Sequence, residues 1–224
     1  MQVDLNLLMQ LQLLISALIL LTGFVLLMKN RVYGLINTFA VQSSLLVAVT
    51  ILKAYTTANT ELYISAFLTL ILKVIFIPWL MRRLVVKLNI RHKVAEIHHP
   101  FLILIFATII VLFCYYLITP LKTLSLFVNT NVIAVAMSVM LLGMLLLITH
   151  RKAISHIIGF MSMENGIFFA ALVSTNGMPM TVELGIAFDV LIATILFGVF
   201  FFHIRSSIDS LDVDRLNLLR EDNE

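Results

Sequence analysis

The sequence predicts an all-α polytopic membrane protein, and three features carry that prediction. The chain is 61% hydrophobic and 12% charged, whereas soluble domains run at about half and about a quarter. Apolar stretches of about twenty residues recur along it, the length that crosses about 30 Å of hydrocarbon as a helix. Lysine and arginine collect in alternate connections between those stretches.

Seven stretches reach membrane length, at 7–28, 32–52, 62–81, 101–120, 130–149, 153–174 and 184–204. The first starts beside Asp4 rather than a basic segment, and no small-residue cleavage site follows. It reads as a retained span and not a signal peptide. Lys29 and Arg31 follow the first span. Arg82, Arg83, Lys87, Arg91 and Lys93 follow the third, Arg151 and Lys152 the fifth, and Arg205, Arg215 and Arg220 the seventh. The opposite connections hold only Lys53 and Lys122. Positive charge marks the cytoplasmic side, so the N-terminus is expected outside and the C-terminus in the cytoplasm. That arrangement requires an odd number of spans, and seven fits.

The same distribution accounts for the formal charge of +3 without a nucleic-acid partner. Cys114 is the only cysteine, and no CxxC, HExxH, GxxxxGK[ST] or GxGxxG pattern occurs. Iron–sulfur, zinc and nucleotide chemistry on this chain are thereby disfavoured, and neither cofactor nor metal is expected. His92, Glu96, His98 and His99 cluster in the long basic connection. Solvent and lipid headgroups are the better reading of that cluster than a metal.

A shift of 122 residues lays Glu61-Leu62-Tyr63-Ile64 on Glu183-Leu184-Gly185-Ile186 and Gln42-Ser43 on Glu164-Asn165. Spans one to three and five to seven enter the membrane in the same sense, so a 3+1+3 parallel repeat is one arrangement to test. The corresponding division is a three-helix unit with its basic loop over 1–100, a bridging helix and outer loop over 101–129, a second three-helix unit over 130–205, and a cytoplasmic tail over 206–224. Gly159, Gly166, Gly185 and Gly198 offer close approach between membrane helices. Pro78 is positioned to kink the third span.

Three ionisable residues fall inside spans. Glu164, in FMSMENGIFF, and Lys73, in FLTLILKVIF, lie near mid-span, and Asp189, in GIAFDVLIAT, lies several residues into the seventh. A central Asp or Lys opposes insertion by about 2.5–3.5 kcal/mol, so each needs a compensating role. Burial disfavours charge on acids and amines alike, bringing proton exchange between opposed groups within reach of neutral pH. The functional reading is therefore a proton path through Glu164, Asp189 and Lys73. His156, two turns from Glu164, would connect it to the cytoplasm, and Gln42, Ser43 and Ser44 offer neutral links at the matching depth of span two. The plainer reading is that these residues only join helices to one another.

The runs MENG at 163–166, VELGIAFD at 182–189, LKVIFIPWLM at 72–81 and LDVDRLNLL at 211–219 resemble the hydrogenase 4 component E family. These are membrane subunits of formate-hydrogenlyase-type complexes. Over its second half the chain is also similar to the three-helix K-type subunit of respiratory complex I and to the C-type subunit of multisubunit sodium/proton antiporters. Carried over by position, Glu164 matches the acid on the middle helix of that pattern and Asp189 the acid on its third helix, where the pattern has glutamate. Lys73 has no counterpart there. The resemblance implies a non-catalytic subunit of an oxidoreductase complex in the inner membrane of a prokaryote. Its partners would be antiporter-like and hydrogenase membrane subunits, lipid, and cytoplasmic redox subunits reached through loop and tail. A subunit of a multisubunit sodium/proton antiporter and a structural spacer are the competing expectations.

Overall fold

Chains of this hydropathy must satisfy their backbone within each span, which leaves helices as the building element. A computed structural model describes residues 2–87, 100–120, 130–150, 152–174 and, further on, 185, 191, 192, 194, 195 and 198. Among these residues there are helices and no strand: α1 (Gln2–Met28), α2 (Val32–Thr57), α3 (Thr60–Thr69), a π-helical segment (Leu70–Phe76), α4 (Ile77–Lys87), α5 (Pro100–Ile118), α6 (Thr130–Thr149) and α7 (Ala153–Ser174). Six stretches are long and apolar enough to cross a membrane, with α3, the π segment and α4 acting as one. They coincide with the first six expected spans. The seventh, at 184–204, falls mostly outside the described residues, although the six that are described there are helical. Asp189, the His92–His99 cluster and the tail also lie outside them.

The α2–α3 corner is sharp. Ala58 closes α2 in the left-handed region, at φ 51°, and Asn59 caps α3 by accepting the Glu61 N–H at 3.0 Å. Pro78 accounts for the π segment just before it. Its ring has no N–H and collides with the carbonyl four residues back. The chain widens instead, and the Ile77 N–H reaches the Leu72 carbonyl, five residues away. The expected kink is thus an inserted π turn.

Helices α6 and α7 are the most extensively packed pair, and glycine permits it. A Cβ on Gly143 would lie 2.5 Å from the Met163 nitrogen, and one on Gly166 would strike the Met140 backbone. Gly159 meets Leu147 in the same antiparallel register. Around this pair, α1 packs on α2, α5 and α6, while α2 packs on α3, the π segment, α4 and α7.

Two apolar clusters fill the bundle. One, toward the end carrying Lys29, Arg82 and Arg83, holds Leu35, Phe39, Leu80, Leu84, Leu142 and Ile158. The other holds Ile19, Leu46, Val49, Val139, Phe169 and Leu172. In α2, in the third stretch and in α7 the two clusters are separated by buried polar residues: Gln42 and Ser43, Lys73, and Ser162, Glu164 and Asn165. A polar layer therefore crosses the middle of an otherwise apolar core.

Candidate functional site

Three helices furnish that layer. The π segment carries Lys73, α7 carries Glu164 and Asn165, and α2 carries Ser43. The Lys73 Nζ lies 2.8 Å from Glu164 Oε1 and donates to Asn165 Oδ1 at 3.2 Å. Asn165 Nδ2 in turn donates to Ser43 Oγ at 3.1 Å. Lys73 is 2% exposed and Glu164 5%. Gly185 borders the carboxylate, where a Cβ would stand 3.7 Å from Oε1.

Lys73 lies inside the π turn. A π turn interrupts the regular i→i+4 ladder and is enriched where a helix serves a site. With its ammonium on both Glu164 and Asn165, Lys73 holds α7 against the third stretch at mid-bundle. At 2.8 Å the contact lies within charge-assisted hydrogen-bond distance. The second carboxyl oxygen, Oε2, has no hydrogen-bond partner.

Of the sequence-predicted site residues, Glu164 and Lys73 are brought into direct contact across 91 positions of sequence. Asp189 lies outside the described residues. His156 is not brought to the pair. It is exposed, its Nδ1 sits 2.9 Å from the Lys152 carbonyl, and it lines an apolar cavity of about 400 Å³ with Leu147, Phe160 and Ile192. Ser43 joins the network, whereas Ser44 turns outward onto the Val41 carbonyl at 2.8 Å. Gln42 is fully buried, and neither of its amide atoms has a partner.

Two buried residues escape sequence reasoning. Asn165 sits in MENG, but nothing in its spacing points to Lys73. His150 lies at a span end among basic residues, a position that reads as exposed. In the structure it is 3% exposed, with Nδ1 3.1 Å from Thr149 Oγ1 and Nε2 unpartnered. Burial pushes its imidazole below the ordinary histidine range, with the main chain of Lys29 and Leu146 offsetting part of that effect and His156 adding to it. Among the described residues, no group of three or more His, Cys, Asp and Glu side chains is placed to hold a metal.

Comparison with known proteins gives similarities over most of the chain. Hydrogenase-4 component E of Escherichia coli is 29% identical over 184 residues, covering 81% of this chain and 84% of that protein. The same protein of Shigella flexneri gives the same values. An uncharacterized protein of Mycobacterium tuberculosis is 26% identical over 194 residues, covering 86% of this chain and 88% of its own. No family model and no solved structure matches. The resemblance to hydrogenase 4 component E, read from MENG, ELGIAFD and LKVIFIPWLM, thus extends over the greater part of the chain.

Proposed function

We propose that this chain is a non-catalytic membrane subunit of a hydrogenase-type complex, in which Lys73, Glu164 and Asp189 carry protons through the membrane arm. Electron transfer in partner subunits would drive the charge rearrangement. The single observation that carries this reading is the buried Lys73–Glu164 contact at 2.8 Å, set in a polar layer between two apolar clusters. Breaking a buried ion pair by removing one partner costs about 3–5 kcal/mol, whereas apolar substitutes are often as stable, so stability alone does not require the pair. Similarity to hydrogenase-4 component E supports the complex. The basic connections support a cytoplasmic C-terminus in a prokaryotic inner membrane and a seventh span.

The parallel repeat belongs to this proposal. The Asn165–Ser43 bond joins positions 122 residues apart, the shift that aligns the two halves. Ser16 and Ser138, also related by that shift, are both buried and both bond the carbonyl four residues back. Residues 32, 36, 39, 43, 46, 47 and 50 of α2 are buried, as are their counterparts in α7. On this division Gln42 takes the station of Glu164.

The test is proton translocation by the reconstituted complex carrying Glu164→Gln. The complex is expected to assemble and retain electron transfer while coupled proton movement falls to background. Undiminished translocation would leave the spacer reading instead, and sodium-dependent transport would favour the antiporter reading.

A further inference from the structure

The third stretch ends, at the basic end of the bundle, on a face that the fold leaves open. Trp79, Arg82, Arg83 and Val86 of α4 are exposed, whereas Leu80, Met81 and Leu84 between them are buried. At about 100° per residue the four exposed positions fall within an arc of about 100°, a single stripe along the helix. Nearer mid-span the stretch also exposes Ile71 and Ile75. Positions 71, 75 and 79 are about one turn apart and so lie on one side. An apolar run thus leads along the membrane span to an indole and two guanidiniums.

Both guanidiniums are held in place, and neither by an acid. Arg82 Nη2 donates to Asn37 Oδ1 of α2 at 2.7 Å, and Arg83 Cζ stands 4.4 Å from the centre of the Trp79 ring. The acids among the described residues are Asp4, Glu61 and Glu164. Asp4 and Glu61 belong to the opposite end of their spans, and Glu164 is mid-bundle on Lys73. Each guanidinium has five N–H donors, and most of them are left for an anion.

The direction of Arg83 is informative. Side chains on a helix lean toward its N-terminus, which for α4 is the mid-span side. Arg83 keeps that lean and folds back over a ring one turn nearer the apolar body of the span. An arginine seeking only water would carry its charge the other way. Its cation is instead held at the level of a tryptophan, the residue that marks the boundary between acyl chains and headgroups.

We infer that the Trp79–Arg82–Arg83 face binds an anionic phospholipid, its headgroup phosphate on the guanidiniums and an acyl chain along Ile75 and Ile71. The planar guanidinium fork matches phosphate oxygens, which accept two parallel N–H bonds. The indole steadies Arg83 from beneath and presents its own apolar body to the chain. The apolar run below the charges selects a lipid over a soluble anion. The charged face is one helix wide, which fits a single lipid, whereas a specific protein interface covers about 800 Å² on each partner. Lipid binding here is independent of any proton path through Lys73 and Glu164.

Trp79 is the only tryptophan in the chain, so its fluorescence reports on this face alone. The experiment reconstitutes the full chain in phosphatidylcholine vesicles containing increasing amounts of brominated phosphatidylglycerol or, in parallel, brominated phosphatidylcholine, since bromine quenches an adjacent indole. Half-maximal quenching by phosphatidylglycerol is expected at a mole fraction at least about fivefold lower, the worth of one basic residue beside an anionic surface. Comparing the two lipids within one variant cancels any change in the indole itself. The preference is expected to vanish in Arg82→Gln/Arg83→Gln and to persist in Lys29→Gln/Arg31→Gln, which removes equal charge from the same end. All four side chains are exposed, so neither variant disturbs the core. Equal quenching by the two lipids in the wild type, or a preference that survives the Arg82/Arg83 variant, overturns the lipid site. A preference lost equally in the Lys29/Arg31 variant would make it a diffuse effect of charge and overturns it too. Quenching by neither lipid would put protein over Trp79, with the same consequence.

Discussion

Helices α5 and α7 are both of membrane length, yet they are used in opposite ways. α5 is the most apolar of the six, and 17% of its membrane-length window is buried; α7 is the least apolar, with 61% buried. Phe106, Leu112 and Tyr116 of α5 are open to the surroundings, while Ser155, Ser162, Glu164 and Asn165 of α7 are enclosed. In water the reverse sorting holds. In lipid, apolar surface gains nothing by leaving the solvent, so association is left to close packing and polar contacts. Glycine and polar residues therefore mark the buried helix, and uninterrupted hydrophobicity marks the one facing outward.

The comparison breaks most severely at the polar layer. Lys73→Met, leaving Glu164 enclosed without its cation, is expected to destabilise the chain by about 3–5 kcal/mol, read from denaturant unfolding in micelles. Adding Glu164→Met should recover most of that loss, because the orphaned carboxyl goes with it. A double variant no better than the single would show that the pair does not form. Gly166→Leu attacks the α6–α7 seam, where the Met140 backbone leaves no room for a side chain. Overpacking of this kind costs about 1–3 kcal/mol, observable in the same assay.

Smaller effects sharpen the contrast. Burial holds the His150 imidazole below its ordinary range. The unfolded chain then binds that proton more readily, so its contribution to stability is present above the unfolded value of about 6.5 and is lost as pH falls from there through the lower folded-state pKa. His150→Gln should flatten that part of the stability–pH curve; an unchanged slope would indicate that the ring is solvated. Ser43→Ala, removing one interhelical bond, is expected to cost about 0.6 kcal/mol, the average for such bonds in membranes. Phe106→Ala on the open face of α5 should leave unfolding almost unmoved. A loss there like that at Gly166 would dissolve the distinction between the two helices.

The six described spans were legible to within a few residues because each is a local property, the sum of side-chain transfer energies over one helix length. The two mid-span charges were legible for the same reason, since their cost stands out against apolar neighbours. Gly159 and Gly166 announced close approach, although Gly143 on the facing helix did not. The π turn was only half visible. Pro78 signalled a disturbance, but whether the chain bends or widens depends on what packs around it. His156 lies two turns along α7 and about 80° around it from Glu164, while neighbouring residues differ by about 100°. That rotation places Ser155 inside and His156 outside.

Sequence by itself therefore determined that this chain forms apolar helices of membrane length, where basic residues fall between them, and that ionisable groups interrupt two of those described. These are one-dimensional facts, complete within any twenty residues. Only the tertiary structure decided that Lys73 meets Glu164 and Asn165, that Asn165 reaches Ser43, and that His150 is enclosed while His156 is not. Such choices depend on the rotation and separation of helices far apart in the chain, and backbone contact at glycine fixes both.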